Sequence, residues 1–111
     1  MYLIHAKYLI PKGYRGMTIF PFVLLKNQED KTNMIFITHE KIHLKQQLEL
    51  LIVPFFIWYF IEFIFRCVQY KNVHLGYRNI SFEREAYHNE THLLYLKNRK
   101  AFAFLKYLKN D

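Results

Sequence analysis

The sequence predicts an α+β fold in which a small antiparallel sheet of two or three strands, one of them an edge strand, lies beside three or four helices. Two short apolar runs, 1–10 and 17–25, are separated by 11–16, which contains one proline and two glycines and is typical of a connection between strands. The longer segments that follow have the length and capping residues of helices. Because 111 residues suffice for one core, 1–111 is expected to be a single domain.

The second apolar run contains Pro21, which has no backbone N–H to donate to a β-ladder. A strand over 17–25 is therefore expected at an edge of the sheet or with a bulge. An unpaired edge can bind an added peptide in extended conformation. This strand is thus a candidate surface for a peptide.

Helices make up the rest of the predicted fold. Pro54 interrupts the first of them, which is expected over 32–53 with Asp30, Thr32 or Asn33 as its cap. A second helix over 55–70 is apolar nearly all round, so it must be buried in protein or lipid. The remaining expectations are a loop over 71–79, a helix over 82–98 capped by Ser81, and a short helix over 101–109.

The composition is that of a folded, basic chain. Hydrophobic residues make up 52% and aromatic residues 19% of it, which excludes a disordered chain, and the net charge is +7. No recognised nucleic-acid-binding motif accompanies this charge, so a solvated helical face is expected rather than a nucleic-acid partner. Cys67 has no partner for an internal disulfide, and 1–10 lacks the pattern of a secretory signal. A cytoplasmic location is therefore expected.

The apolar stretch 50–61 raises the question of a membrane. Its twelve residues are too few for a hydrocarbon core that needs about 20, and Glu62 interrupts its extension, so a full transmembrane span is not expected. Packing in the protein core is the first expectation. Peripheral membrane association is the alternative, since basic residues flank the segment at Lys41, Lys45, Arg66 and Lys71.

The sharpest chemical signal is His39-Glu40-Lys41-Ile42-His43, an H-E-x-x-H pattern on a predicted helix. Residues four apart lie one turn apart on the same helical face, so both imidazoles can reach one metal ion. Glu40 then stands beside the open coordination position, where a carboxylate can accept a proton from water. The alternative is a pair of partly exposed histidines on a polar helix face.

A third ligand is expected about forty residues further on, where Glu83 and Glu85 begin another predicted helix. Two helices would then hold one ion between them. The alternative for either glutamate is compensation of the helix dipole at an N-terminus.

These residues resemble the gluzincin metallopeptidases, in which the H-E-x-x-H helix is followed by a second helix with an E-x-x-A pattern, matched here by Glu83-Arg84-Glu85-Ala86. The runs THEKIHLKQQLELL and FEREAY are similar to the minimal soluble members, the minigluzincins, over roughly 17–95. The resemblance implies a zincin-like fold and a hydrolase acting on peptide or protein substrates. It implies Zn²⁺ held by His39, His43 and Glu83, with Glu40 as the catalytic carboxylate.

Several assignments stay open within this resemblance. Glu85 is the reserve third ligand, and Tyr87 stands where gluzincins often carry an aspartate that orients a ligand histidine. The segment 101–111 is a candidate for occluding the cleft in a latent, zymogen-like form. Candidates for stabilising an oxyanion are Tyr77, Tyr87, His74 and His88.

The alternative function is a catalytically inactive, zinc-stabilised module for binding or membrane association. Bound metal and thermal stabilisation without cleavage would distinguish it from a peptidase. The presence of Glu40 beside two candidate ligands favours the peptidase. The sequence gives no indication of the oligomeric state.

Overall fold

The chain begins with a three-stranded mixed sheet. The computed structural model describes residues 2–92 and 94–109, and its strands are β1 (Tyr2–His5), β2 (Gly16–Ile19) and β3 (Phe22–Leu25). The strand order is β1-β3-β2, with β1 parallel and β2 antiparallel to β3. A small sheet was therefore predicted correctly, but it is not purely antiparallel, because the connection after β1 leads to the opposite edge of the sheet.

The apolar run 17–25 forms two strands rather than one. Phe20 and Pro21, joined by a cis peptide bond, connect β2 to β3, so the proline lies outside the ladder. The strand order makes β3 the central strand and β2 an edge. The predicted edge is therefore present, but it belongs to β2 alone.

Helix α1 (Met34–Leu50) begins after Asn33, whose side-chain oxygen accepts a hydrogen bond from the amide of Phe36 at 3.1 Å. Asn33 is thus the N-cap among the three candidates. The helix ends at Leu50, and the next residue, Leu51, has a positive φ of 65°. Pro54 does not cause this break: it is the third residue of the next helix, where a backbone N–H has no acceptor within the helix.

Helix α2 (Ile52–Tyr70) has different surroundings on its two faces. Only Phe55, Glu62 and Arg66 are buried, so the expectation of a helix packed in the core holds for one face alone. Among the helices of the described part of the chain, α2 is the one that is long and apolar enough to cross a membrane, judged by length and composition.

Three shorter helices follow. The predicted loop 71–79 contains α3 (Val73–Arg78), because Asn72 caps it by accepting from the amide of Leu75 at 2.9 Å. The single helix predicted over 82–98 is divided into α4 (Ser81–Asn89) and α5 (Tyr95–Asn98). In place of a last helix over 101–109 there is a short 3-10 helix, Ala103–Tyr107.

Two hydrophobic clusters hold these elements together. The first joins β3 to α1 through Val23, Leu25, Phe36, Ile37 and Leu44. The second is largely aromatic, because Phe82 of α4 packs against Phe55 and Phe104 with ring centroids 4.6 Å apart in both pairs. Helix α1 also packs against α4 and β2, and its polar side chains meet polar side chains of both elements.

Candidate metal centre

Helix α1 presents two histidines side by side in the interior. His39 and His43 are both buried, and their Nε2 atoms lie 3.2 Å apart. The helical spacing of four residues accounts for this proximity. The predicted pair is therefore formed, and it does not lie on an exposed helix face.

Helix α4 adds Glu83 to this pair. Its Oε1 lies 3.1 Å from Nε2 of His39 and 3.2 Å from Nε2 of His43, and the side chain is buried. The three residues form a cluster with the composition and spacing of a metal-binding group. The structure thus brings together the two histidines and the first of the two candidate glutamates.

The reserve ligand, Glu85, is engaged elsewhere. Its carboxylate accepts hydrogen bonds from Arg99 Nε at 2.5 Å and from the Tyr95 hydroxyl at 2.6 Å. Gln46 Nε2 donates to it at 2.9 Å. Because residues two apart on a helix point in different directions, only one of Glu83 and Glu85 can face α1 at the histidines.

The outer ring nitrogens of both histidines have acceptors. Nδ1 of His39 donates to Glu90 Oε2 at 2.8 Å, and Nδ1 of His43 donates to Gln46 Oε1 at 2.8 Å. These contacts hold both rings with Nε2 directed at Glu83. Sequence reasoning missed both acceptors, although Gln46 follows His43 by three residues and Glu90 follows Glu83 by seven, which is close to two helical turns.

Tyr87 stands where an aspartate would orient a histidine by accepting its hydrogen bond, but Tyr87 does not play this role. Its ring packs edge-on against the ring of His39, with centroids 4.5 Å apart. Its hydroxyl lies 3.3 Å from that of Tyr77. Tyr87 therefore restrains His39 by packing, while Glu90 orients it by hydrogen bonding.

The charges of the cluster favour a cation among these side chains. Burial alone would lower the pKa of His39, but hydrogen bonds to Glu83 and Glu90 outweigh it and raise the pKa to about 10. For Glu83, burial opposes ionisation, yet the charge of His43 and the hydrogen bond from His39 lower its pKa well below the usual range. Positive charge at this point is therefore strongly stabilised by the surrounding carboxylates.

Glu40 lies beside the cluster and is also buried. Its carboxylate accepts a hydrogen bond from the hydroxyl of Thr18 on β2. Glu40, both histidines and Glu83 line one cavity of about 330 Å³. The predicted catalytic carboxylate therefore faces the same space as the predicted ligands. Sequence reasoning missed Thr18 as its hydrogen-bond donor.

Aromatic and apolar side chains form the remaining walls of this cavity. Tyr59 of α2 donates from its hydroxyl to Glu83 Oε2 at 2.7 Å, which leaves Oε1 facing the histidines. Among the four predicted oxyanion donors, Tyr77 is the one that lines this cavity within the described residues. Burial and the charge of Glu83 raise the pKa of Tyr77, so its hydroxyl keeps its proton. The other members of the wall include Met17, Phe55, Phe56 and Phe63.

The C-terminal segment does not occlude the cavity over its described length. Phe104 is fully buried in the aromatic cluster, and Arg84 binds the carbonyl of Tyr107 at 2.7 Å. None of the residues 101–109 lines the cavity of the cluster. The last part of the predicted latent segment, 110–111, lies outside the described residues.

Comparison with known proteins finds no matching family model, no matching curated protein and no matching solved structure.

Proposed function

We propose that this chain is a zinc-dependent peptidase of the gluzincin type that hydrolyses peptide bonds. The main support is the convergence of Nε2 of His39, Nε2 of His43 and Oε1 of Glu83, which lie 3.1–3.2 Å from one another. Bonds of about 2.0–2.1 Å in a tetrahedral zinc site place ligand atoms about 3.3 Å apart. Two imidazoles and one carboxylate are a common ligand set of catalytic zinc, so the residues fit this metal.

The surroundings of the ligands also fit a zinc site. Ligand histidines in such sites donate their second ring N–H to an oxygen acceptor, which fixes the ring and increases its basicity. Glu90 and Gln46 supply these acceptors for His39 and His43, both at 2.8 Å. Tyr59 holds the second oxygen of Glu83. Each of the three ligands therefore has its own support.

A zinc ion bound there supplies Lewis acidity, which activates water and polarises a substrate carbonyl. Glu40 is the proton carrier of the proposed reaction: it accepts a proton from the attacking water and returns it to the departing amine. Thr18 fixes the carboxylate of Glu40 through its hydroxyl. Tyr77 lines the same cavity with a protonated hydroxyl, so it is the proposed donor to the developing oxyanion.

The edge strand β2 is the proposed binding surface for the substrate backbone. Its outer edge is partly taken by Gln47, whose amide donates to the carbonyl of Thr18 and accepts from the amide of Phe20, both at 2.7 Å. Backbone groups of alternate residues point to the same edge, so those of Gly16 face outward with those of Thr18. An extended peptide would pair at Gly16 and place apolar side chains against the aromatic wall.

The decisive experiment compares Glu40→Gln with Glu29→Gln, an exposed glutamate that loses the same charge. We expect both variants to retain one zinc ion per chain by elemental analysis. In a peptide-library digest with and without a chelator, Glu40→Gln should lose about 10²–10⁴-fold in rate, while Glu29→Gln should match the parent chain. Cleavage by Glu40→Gln at the parent rate would refute the assignment. Zinc binding without any cleavage by the parent chain would favour the inactive zinc-stabilised module.

A further inference from the structure

Helix α2 buries its charged residues and exposes apolar ones, which is the reverse of a surface helix in a water-soluble protein. It carries two charged residues, Glu62 and Arg66, and both are turned inward, with only 7% and 4% of their surface exposed. Glu62 accepts from the amide and the hydroxyl of Ser81 at 2.6 Å each. Arg66 donates to the carbonyl of Leu108 at 2.7 Å. Both charged side chains of α2 therefore have partners within the protein, although Nε of Arg66 forms no hydrogen bond and only faces Glu62 at 3.5 Å.

The opposite face of α2 is apolar and exposed. Ile57, Phe60 and Ile61 expose 56–62% of their surface, and none of the outward positions carries a charge. These side chains recur at helical spacing, so they form one continuous surface, which we call the outer face of α2. It consists of Val53, Phe56, Ile57, Phe60, Ile61, Ile64, Phe65 and Val68.

The exposed charged residues that flank α2 in the sequence are positive on both sides. Lys45 is exposed one turn before the exposed Leu48 on α1, and Lys71 is exposed directly after α2 ends. The acidic residues between these lysines are Glu49 and Glu62. Glu49 forms an ion pair with Arg99 at 2.7 Å, and Glu62 lies 3.5 Å from Arg66, so neither charge is left free on the surface.

We propose that the outer face of α2 lies in the surface of an anionic lipid bilayer, with the helix axis in the plane of the membrane. A large exposed apolar surface between cationic residues is the pattern of an interfacial helix. The inner face packs against α3 and carries the buried charges, so a helix surrounded by lipid on all sides does not fit. The lysines that flank α2 in the sequence carry the charge that is complementary to anionic headgroups.

A second copy of this chain is the competing occupant of the outer face. A two-fold interface brings the same patch of both copies together. Each copy carries a net charge of +7, so the two copies repel each other, which opposes association. Charge therefore favours a lipid surface over self-association.

The test measures binding to vesicles of phosphatidylcholine and phosphatidylglycerol in equal amounts, and to vesicles of phosphatidylcholine alone, by co-sedimentation. We expect the parent chain to bind the mixed vesicles and to bind the neutral ones more weakly. Lys45→Gln and Lys71→Gln should each weaken binding to the mixed vesicles about fivefold, with a smaller effect at high salt. Binding that is independent of both lipid charge and these lysines would overturn the proposal.

The apolar part of the surface is tested by the double variant Ile57→Gln with Ile61→Gln, and separately by Phe60→Gln. The double variant should weaken vesicle binding roughly tenfold or more, with unchanged circular dichroism, because both side chains are exposed in the free protein. The matched control is Tyr8→Ser with Leu9→Gln, two exposed apolar residues far along the chain from α2, which should bind as the parent does.

Sedimentation equilibrium without lipid completes the design. A monomer that binds the mixed vesicles through the outer face supports the proposal. A dimer that the double variant dissociates, together with absent vesicle binding, would assign the surface to a second copy and overturn it. These measurements use neither metal nor cleavage, so their outcome is independent of the proposed peptidase activity.

Discussion

Helices α1 and α2 follow each other in sequence but distribute polarity in opposite ways. Of the ten buried residues of α1, six are polar: Thr38, His39, Glu40, His43, Gln46 and Gln47. Helix α2 buries one apolar residue and two charged ones, while eight large apolar side chains are exposed. The position of a side chain therefore follows from the partners available to it and not from its polarity alone.

The two helices also differ in how the free-energy cost of burying polar side chains, or of exposing apolar ones, is offset. Buried polar groups are tolerated where they form hydrogen bonds. Gln46 forms hydrogen bonds with Phe82 and Glu85, and Gln47 forms one with the backbone of β2. These buried polar side chains of α1 therefore have hydrogen-bond partners within the protein. The outer face of α2 has no comparable cover within the described chain. Helix α1 thus supplies a candidate metal site, and helix α2 supplies an exposed apolar surface.

The largest expected effect is a difference in the free energy of unfolding between substitutions on the two faces of α2. Phe55→Ala should lower the free energy of unfolding by about 3–5 kcal/mol, because this ring is 2% exposed and packs against Phe82. Phe60→Ala, at a ring that is 61% exposed, should change it by less than about 0.5 kcal/mol. Urea unfolding of both variants measures the difference, and equal losses would contradict the assignment of an inner and an outer face.

The next effect concerns the buried polar residues of α1. Free zinc at a hundredfold excess over its dissociation constant should raise the free energy of unfolding by about 2.7 kcal/mol. His43→Ala should abolish this gain, because one of the three proposed ligands is lost. His92→Ala, an exposed histidine outside the cluster, should retain it. Thermal unfolding with and without zinc measures both, and a gain that persists in His43→Ala would show that the metal binds elsewhere.

A smaller effect on the free energy of unfolding is expected from Glu85 of α4, which forms an ion pair with Arg99. Burial of Glu85 favours its neutral form, but hydrogen bonds from Arg99 and Tyr95 outweigh this and lower its pKa. Its contribution to stability is therefore fully present above its unfolded pKa, near 4.5, and is lost as pH falls through the lower folded value.

Glu85→Gln should accordingly cost about 2 kcal/mol at neutral pH, the order of a hydrogen bond to a charged group. The difference between parent and variant should shrink as the pH falls below about 4.5. Urea unfolding across this pH range is the measurement. A difference that is constant with pH would mean that the ionised carboxylate does not stabilise the fold.

The smallest expected effect is on zinc affinity, and it comes from a residue that forms a hydrogen bond with a proposed ligand. Glu90→Ala removes the acceptor of His39 Nδ1 and should weaken zinc binding about tenfold, which corresponds to about 1.4 kcal/mol. Glu29→Ala is the control for the lost charge and should leave the affinity unchanged. Competition with a chromophoric chelator measures the affinity. Unchanged zinc affinity in Glu90→Ala would remove Glu90 from the proposed site.

Much of the helical architecture could be predicted from local signals. Asn33 was a predicted cap of α1, and α2 ends at Tyr70 as expected. The errors fell where a distant contact decides the local structure. Ser81 was predicted as an N-cap, but it is the first residue of α4, and the carboxylate of Glu62 from α2 binds its amide instead. No pattern near Ser81 indicates that partner.

The candidate site shows the same division between features set by local spacing and features set by distant contacts. The spacing of His39 and His43 placed both on one helical face, and Glu83 at the start of a second helix supplied a suitable third group. The choice of Glu83 over Glu85 could not be made from sequence, since it depends on the rotation of α4 against α1. Glu90 and Thr18 were missed for the same reason, because each comes from another element.

The sequence by itself determined the helical periodicity, the pairing of the two histidines and the apolar character of α2. These properties depend on residues within one or two turns of one another, whose geometry the backbone fixes. Only the tertiary structure decided which carboxylate meets the histidines and that α2 turns its charges inward. Those features arise from packing between elements far apart in the chain, where the hydrogen-bonding partner of each buried polar group is set by the whole fold.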